Sequence, residues 1–337
     1  MRRLGILLLL LLICCGIYFL AEIKDKQEIT TLRSERAFAM ENIDKLYRIV
    51  ITEKNKKSII LEKKEDDKWQ LNNKYLARKN AVDNLLEVIK QVQIKYIPEP
   101  SAVKNIIAEM RTIGVQVDLY GQDNSLMKSY LVGGSTQDER GTYMLMNDEG
   151  NNRPQPFVMR IPSIEGSVRG RFILSETNWR DRSVINEELS DVKYIKVEYP
   201  ENQNESFMIK LKEGEPVLFA QDDVIISGVD QNKVKGYTQL FDGIYAEYID
   251  NLNPLRDSIS ALEPFSIISY GKSEADYKVV RLFPLSDILY ERAEPQALNV
   301  TKVEGRYFVD CSWGDFMLVQ HRLIGKLLRG RSFFELN

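Results

Sequence analysis

The chain has 337 residues, 44% hydrophobic and 28% charged, with a formal net charge of −3. That length is enough for two ordinary domains and an appendage, and so small a charge excludes the global basic field that gathers nucleic acid. With three cysteines, two of them adjacent (Cys14 and Cys15), and one histidine, neither a disulfide framework nor the usual His/Cys zinc set can be assembled.

Met1, Arg2 and Arg3 precede Leu4 to Ala21, 18 residues without a charge. At about 1.5 Å per residue the run spans roughly 27 Å as a helix, close to the hydrocarbon thickness of a bilayer. It predicts a transmembrane anchor over residues 1–21. The alternatives are a lipoprotein and a cleaved signal, but Ile13 before Cys14 and the bulky Phe19 near Ala21 suit neither processing step. The two arginines place the N-terminus in the cytoplasm and the bulk of the chain in the periplasm of a single-pass inner-membrane protein. Residues 22–39 read as a polar stalk, with Thr30, Thr31 and Ser34 breaking any heptad.

A first module is expected over 40–185. Leu46–Thr52, Ser58–Lys63 and Lys68–Leu71 read as strands, set apart by polar turns and followed by the turn Asn72-Asn73. Asn80 is a candidate N-cap for a helix whose apolar face carries Val82, Leu85, Leu86, Ile89 and Val92. A three-stranded meander and an amphipathic helix cover each other's apolar faces. Further on come a short helix at Ala102–Met110 and the hairpin Val115–Tyr120 with Leu126–Val132. Gly133-Gly134-Ser135 reads as a strand-to-loop turn, because a phosphate cradle would need a helix after it. Tyr143–Asn147 and Pro156–Ile161 add two strands.

A second module, 186–337, follows the same order. Setting Ile49 on Val197 places Glu53 on Glu201 and Lys64 on Lys212. Further along, Val82 falls on Val234, Tyr96-Ile97 on Tyr248-Ile249 and Tyr120-Gly121 on Tyr270-Gly271. Here the strands are Tyr194–Tyr199, Ser206–Lys212 and Pro216–Ala220. Asp230 caps a helix that shows Val234, Tyr237, Leu240, Phe241 and Ile244 on one face. The hairpin Phe265–Tyr270 with Tyr277–Phe283 and the strand Arg306–Asp310 come next, and a last helix is expected over Asp315–Leu328, capped by Asp315. The expected class is α+β: an N-terminal transmembrane helix, then two tandem similar modules, each an antiparallel β-meander with an amphipathic helix and further hairpins.

Several blocks occur in a fixed order. They are Leu131 to Asp138 with Gly141 to Leu145, then Pro156 to Pro162, Arg171-Phe172, and Trp179 to Arg182. In this order they resemble the bacterial domain-of-unknown-function family 4340, over roughly residues 37 to 250. The resemblance implies an N-terminally anchored extracytoplasmic protein, and some members of the family are encoded beside ABC-type transporters of the gliding-motility kind. It brings no catalytic residues.

The most distinctive polar cluster is Trp179-Arg180-Asp181-Arg182, at the junction of the modules and with Arg171 close by in sequence. Paired guanidinium forks suit a carboxylate or phosphate, which makes these five residues the candidate binding site. The other reading is a clasp, with Asp181 ordering the arginines and Trp179 packed beneath. His321 and Cys311 read as packing residues, because no partner base is evident for the thiol. No catalytic residue, metal site or cofactor is expected. The expected function is a membrane-anchored periplasmic scaffold or accessory protein, not an enzyme. It would act through contacts with envelope proteins, an ABC-type transporter included. The alternative is a ligand-binding envelope module with its site at the module junction.

Overall fold

In β1 (Leu46–Glu53), Leu46, Ile49 and Ile51 are buried while their neighbours stay partly exposed, the mark of a strand with one face on a core. The computed structural model describes residues 38–40, 42–54, 58–147, 154–285 and 305–336. The chain divides into two units, Met1–Asp181 and Arg182–Asn337.

After β1 the first unit continues with β2 (Ile59–Lys63), β3 (Trp69–Leu71), β4 (Tyr75–Leu76), α1 (Lys79–Gln91), β5 (Gln93–Tyr96) and α2 (Pro100–Ile113). It then adds β6 (Val115–Gly121), β7 (Leu126–Ser135), β8 (Thr142–Met146) and β9 (Phe157–Arg160). The strands form one nine-stranded sheet in the order β4-β3-β2-β1-β6-β7-β8-β9-β5, antiparallel at every pairing. One face carries the main core, onto which α1 lays Val82, Leu85, Val88 and Ile89. On β7 and β8, Leu131 and Leu145 alternate with the core residues Val132 and Met144 and so point to the other face. There α2 packs Ile106 and Met110 on them.

The second unit holds β10 (Ser183–Ile185), β11 (Tyr194–Glu198), β12 (Phe207–Lys212), β13 (Glu215–Phe219), β14 (Ile244–Tyr245) and β15 (Tyr248–Ile249). It closes with β16 (Ser266–Ser273), β17 (Asp276–Pro284), β18 (Arg306–Cys311) and β19 (Phe316–Gln320). Its eight-stranded sheet runs β13-β12-β11-β16-β17-β18-β19-β15, strand for strand the order of the first sheet without β4. The register recurs as well. Leu46 lies opposite Gly121 in the first sheet, and Tyr194 lies opposite Gly271 in the second. Ahead of each helix face, Met40 donates its backbone N–H to the Ile89 carbonyl at 2.8 Å, and Glu187 donates to the Phe241 carbonyl at 3.3 Å.

Five expectations change. The class is corrected from α+β with a transmembrane helix to a mostly antiparallel β fold. The strands gather into antiparallel sheets of nine and eight strands, and among the described residues no helix is long and apolar enough to cross a membrane. The expected anchor at 1–21 lies outside the described residues, while Phe38, placed in the stalk, is fully buried edge-on to Tyr130 and Phe157. The expected last helix, Asp315–Leu328, is instead a strand over Phe316–Gln320 followed by one helical turn, His321–Ile324. Phe316 to Val319 are buried one after another, a pattern that fits a strand covered on both faces as well as a helix, and the ladder to β18 decides it. Asn80 does not cap α1, which begins one residue earlier without a side-chain cap. Asp230, by contrast, caps the second unit's helix (Gln231–Thr238, in chain order α4), accepting from the N–H groups of Asn232 and Lys233. Finally, Gly133-Gly134-Ser135 continues β7 rather than ending it. A Cβ on Gly133 would stand 2.7 Å from Cγ of Met110, so the glycine lets α2 approach the sheet.

Candidate functional site

The stretch ahead of α1 and the stretch that ends the first unit run side by side. Arg78 donates its backbone N–H to the Trp179 carbonyl at 2.7 Å, and Asp181 donates to the Leu76 carbonyl at 2.8 Å, with Ala77 and Arg180 bridged between them. This pairing covers the outer side of the edge strand β4, whose backbone groups would otherwise stand open. Trp179, the last residue of α3 (Glu176–Trp179), is fully buried, and its indole N–H donates to the Ile173 carbonyl at 2.9 Å. The pocket thus takes both the ring's apolar area and its polar end.

The second unit closes in the same way. Asp230 donates to the Phe334 carbonyl at 2.8 Å and Leu336 to the Gly228 carbonyl at 3.2 Å, with Val229 and Glu335 bridged. Phe334, fully buried, takes the place of Trp179.

Of the five residues singled out from the sequence, Trp179, Arg180 and Asp181 come together along Leu76–Arg78. Arg171 sits partly exposed on the short turn Arg169–Arg171. Arg182 belongs to the second unit, where its guanidinium donates to the Glu247 carbonyl. The Glu247 carboxylate accepts from Arg306 at 3.0 Å and from Gln320, and the Arg306 hydrogen bond, followed by that of Gln320, holds it below the usual carboxylate range.

Arg180 leads on to a surface the sequence did not reveal. Its guanidinium carbon lies 3.8 Å from the centroid of the Tyr75 ring, and Tyr75 lines a cleft of about 1440 Å³ at one end of the first sheet. The walls come from six neighbouring strands, β4-β3-β2-β1-β6-β7. Two turns shape it. Asn72 and Asn73 both take left-handed backbone angles, φ 51° and 55°, the conformation of a tight two-residue hairpin turn that asparagine tolerates. That turn folds Lys74, Tyr75 and Leu76 back beside β3. In the β6–β7 turn the Asp123 carboxylate accepts from the Ser125 hydroxyl at 2.6 Å and its N–H at 3.1 Å, and these bonds hold it below its ordinary range.

Lys45, Lys63, Lys64, Lys68 and Lys74 line the cleft, against the carboxylates of Asp44, Glu65 and Asp123. Lys63 is paired with Asp67 at 2.8 Å and Lys64 with Glu62 at 3.1 Å. The Lys74 ammonium lies 4.7 Å from the Tyr75 ring centroid, and its pKa is held above the ordinary lysine value, chiefly by the Tyr75 side chain. A lysine kept protonated is a fixed positive charge and no proton acceptor. The cleft therefore has the chemistry of a charged binding surface with apolar side chains set in it.

Elsewhere, Cys311 is buried and burial pushes its thiol up, away from thiolate chemistry. His321 is exposed, with Nδ1 3.0 Å from the Tyr307 hydroxyl. Among the described residues no group of three or more His, Cys, Asp or Glu side chains gathers as a metal set. Compared with family models, curated proteins and solved structures, the chain matches none.

Proposed function

We propose that this protein is a membrane-anchored scaffold or accessory protein of the bacterial envelope that works by protein–protein contacts rather than by catalysis. An ABC-type transporter complex is the partner assembly suggested by the family resemblance. The observation that carries the reading is the cleft of the first unit. It is open and of about 1440 Å³, and it sets lysines beside exposed Leu76 and Met127. Charged and apolar side chains set together are the make-up of a recognition surface.

The test is purification of the intact protein from its native membranes in mild detergent, with and without the pair Lys45→Glu and Lys68→Glu. A partner at constant stoichiometry that is lost from the paired variant is expected. Recovery of no stable partner, or of one indifferent to both substitutions, contradicts the proposal.

A further inference from the structure

We propose that the cleft takes an extended acidic segment of a protein partner, about seven residues long by strand spacing, whose carboxylates alternate with apolar side chains. This rests on the function proposed above and names the chemistry of the partner.

The first argument is length. The cleft crosses the ends of six adjacent strands. At about 4.8 Å per strand that is roughly 24 Å, the length of about seven residues of extended chain. Its volume of about 1440 Å³ lies above the roughly 300–1,000 Å³ of small-molecule pockets.

The second is charge. Lys45 and Lys68 are exposed on the cleft wall and, among the described residues, neither has a carboxylate in ion-pair contact. With Lys74 they leave three cations whose charge is not matched by a salt bridge, the arrangement that favours carboxylates arriving from outside.

The third is the mixture. Leu76 is 47% exposed at the β4 end, and Met127 is 38% exposed on β7 at the other. Apolar ground at both ends of a cleft lined with lysines, with Asp44, Glu65 and Asp123 among them, suits a chain whose side chains alternate in kind.

The experiment uses the full-length protein in detergent and fluorescence anisotropy of a labelled peptide alternating glutamate and leucine. Controls are the same peptide with lysine for glutamate, inorganic polyphosphate and a single-stranded oligonucleotide. Binding of the acidic peptide is expected, weaker in high salt. The pair Lys45→Glu and Lys68→Glu should weaken it on the order of tenfold, while Lys104→Glu, on α2 and outside the cleft, should leave it unchanged. Circular dichroism checks that the paired variant is folded. No binding of the acidic peptide, binding that ignores the paired reversal, or tighter binding of polyphosphate or oligonucleotide overturns the proposal. If the native partner is still lost from the paired variant while the peptide fails, the acidic-segment inference falls and the scaffold reading stands. If the native partner ignores the reversal as well, both fall.

Discussion

Arg180 stacks on Tyr75, its guanidinium carbon 3.8 Å from the ring centroid, the nearest cation–ring approach among the described residues. The pair joins the closing strand segment of the first unit to the wall of its cleft. Arg180 is 8% exposed, so the contact is made largely out of water. Arg180→Ala is expected to lower stability by about 2 kcal/mol, as is Tyr75→Leu, and a double-mutant cycle should return about 1–2 kcal/mol of coupling. Additive effects in chemical denaturation would show that the stack contributes nothing.

The two closing aromatics occupy matching places. Trp179→Ala and Phe334→Ala each remove a fully buried ring and should each cost about 3–5 kcal/mol. Hydrogen exchange locates the damage. Protection should fall on Leu76–Arg78 and α1 for the tryptophan, and on Gly228–Asp230 and α4 for the phenylalanine. Loss of protection in the opposite unit would contradict the matching roles.

Gly133 and Gly170 form a controlled pair. A Cβ at Gly133 meets Met110 at 2.7 Å and Tyr143 at 3.2 Å, whereas one at Gly170 meets nothing within 4 Å. Gly133→Ala should lower stability by about 1–3 kcal/mol through overpacking. Gly170→Ala should be neutral or slightly stabilising, by up to about 1 kcal/mol. Equal midpoints for the two variants in urea would count against close packing of α2 on β7.

Burial raises the phenols of Tyr130, Tyr199, Tyr237 and Tyr270 and pushes Tyr194 up to about 12. A pKa raised in the folded state means that the folded chain holds these protons more tightly than the unfolded one. The stability this contributes is complete below the unfolded value of 10.0 and is lost as pH rises from 10.0 through about 12. Tyrosinate absorbance and far-ultraviolet circular dichroism should therefore change together in that window. Smooth titration of all tyrosines near 10.0 with the fold intact would refute it.

The strands were largely legible, because Ile49 and Ile51 or Val115, Val117 and Leu119 alternate with half-exposed neighbours. So was α1, whose apolar face repeats at helical spacing. Phe316 to Val319 misled because four buried residues in a row carry no period. Here the deciding partner, β18, is close in sequence, but the ladder it makes is tertiary information. Trp179-Arg180-Asp181 stood out by composition. Its pairing with Leu76–Arg78 spans about a hundred residues of chain and leaves no local sign. The cleft was illegible for a similar reason. Lys45, Lys63, Lys68 and Lys74 come from four separate segments, and an isolated exposed lysine reads as ordinary surface. The one usable signal was Asn72-Asn73, a pair suited to a left-handed turn, which folds β4 back and sets Tyr75 in the wall.

The central claim, that the first unit's cleft is a contact surface for another protein, is tested most directly by a photo-crosslinking residue placed in native cells at Lys68, in the cleft wall, and separately at Lys104, outside it. The account predicts a discrete crosslinked protein from position 68 that is absent from position 104 and disappears when Lys45→Glu is added. The same crosslinking pattern from both positions, or none from position 68, would contradict it.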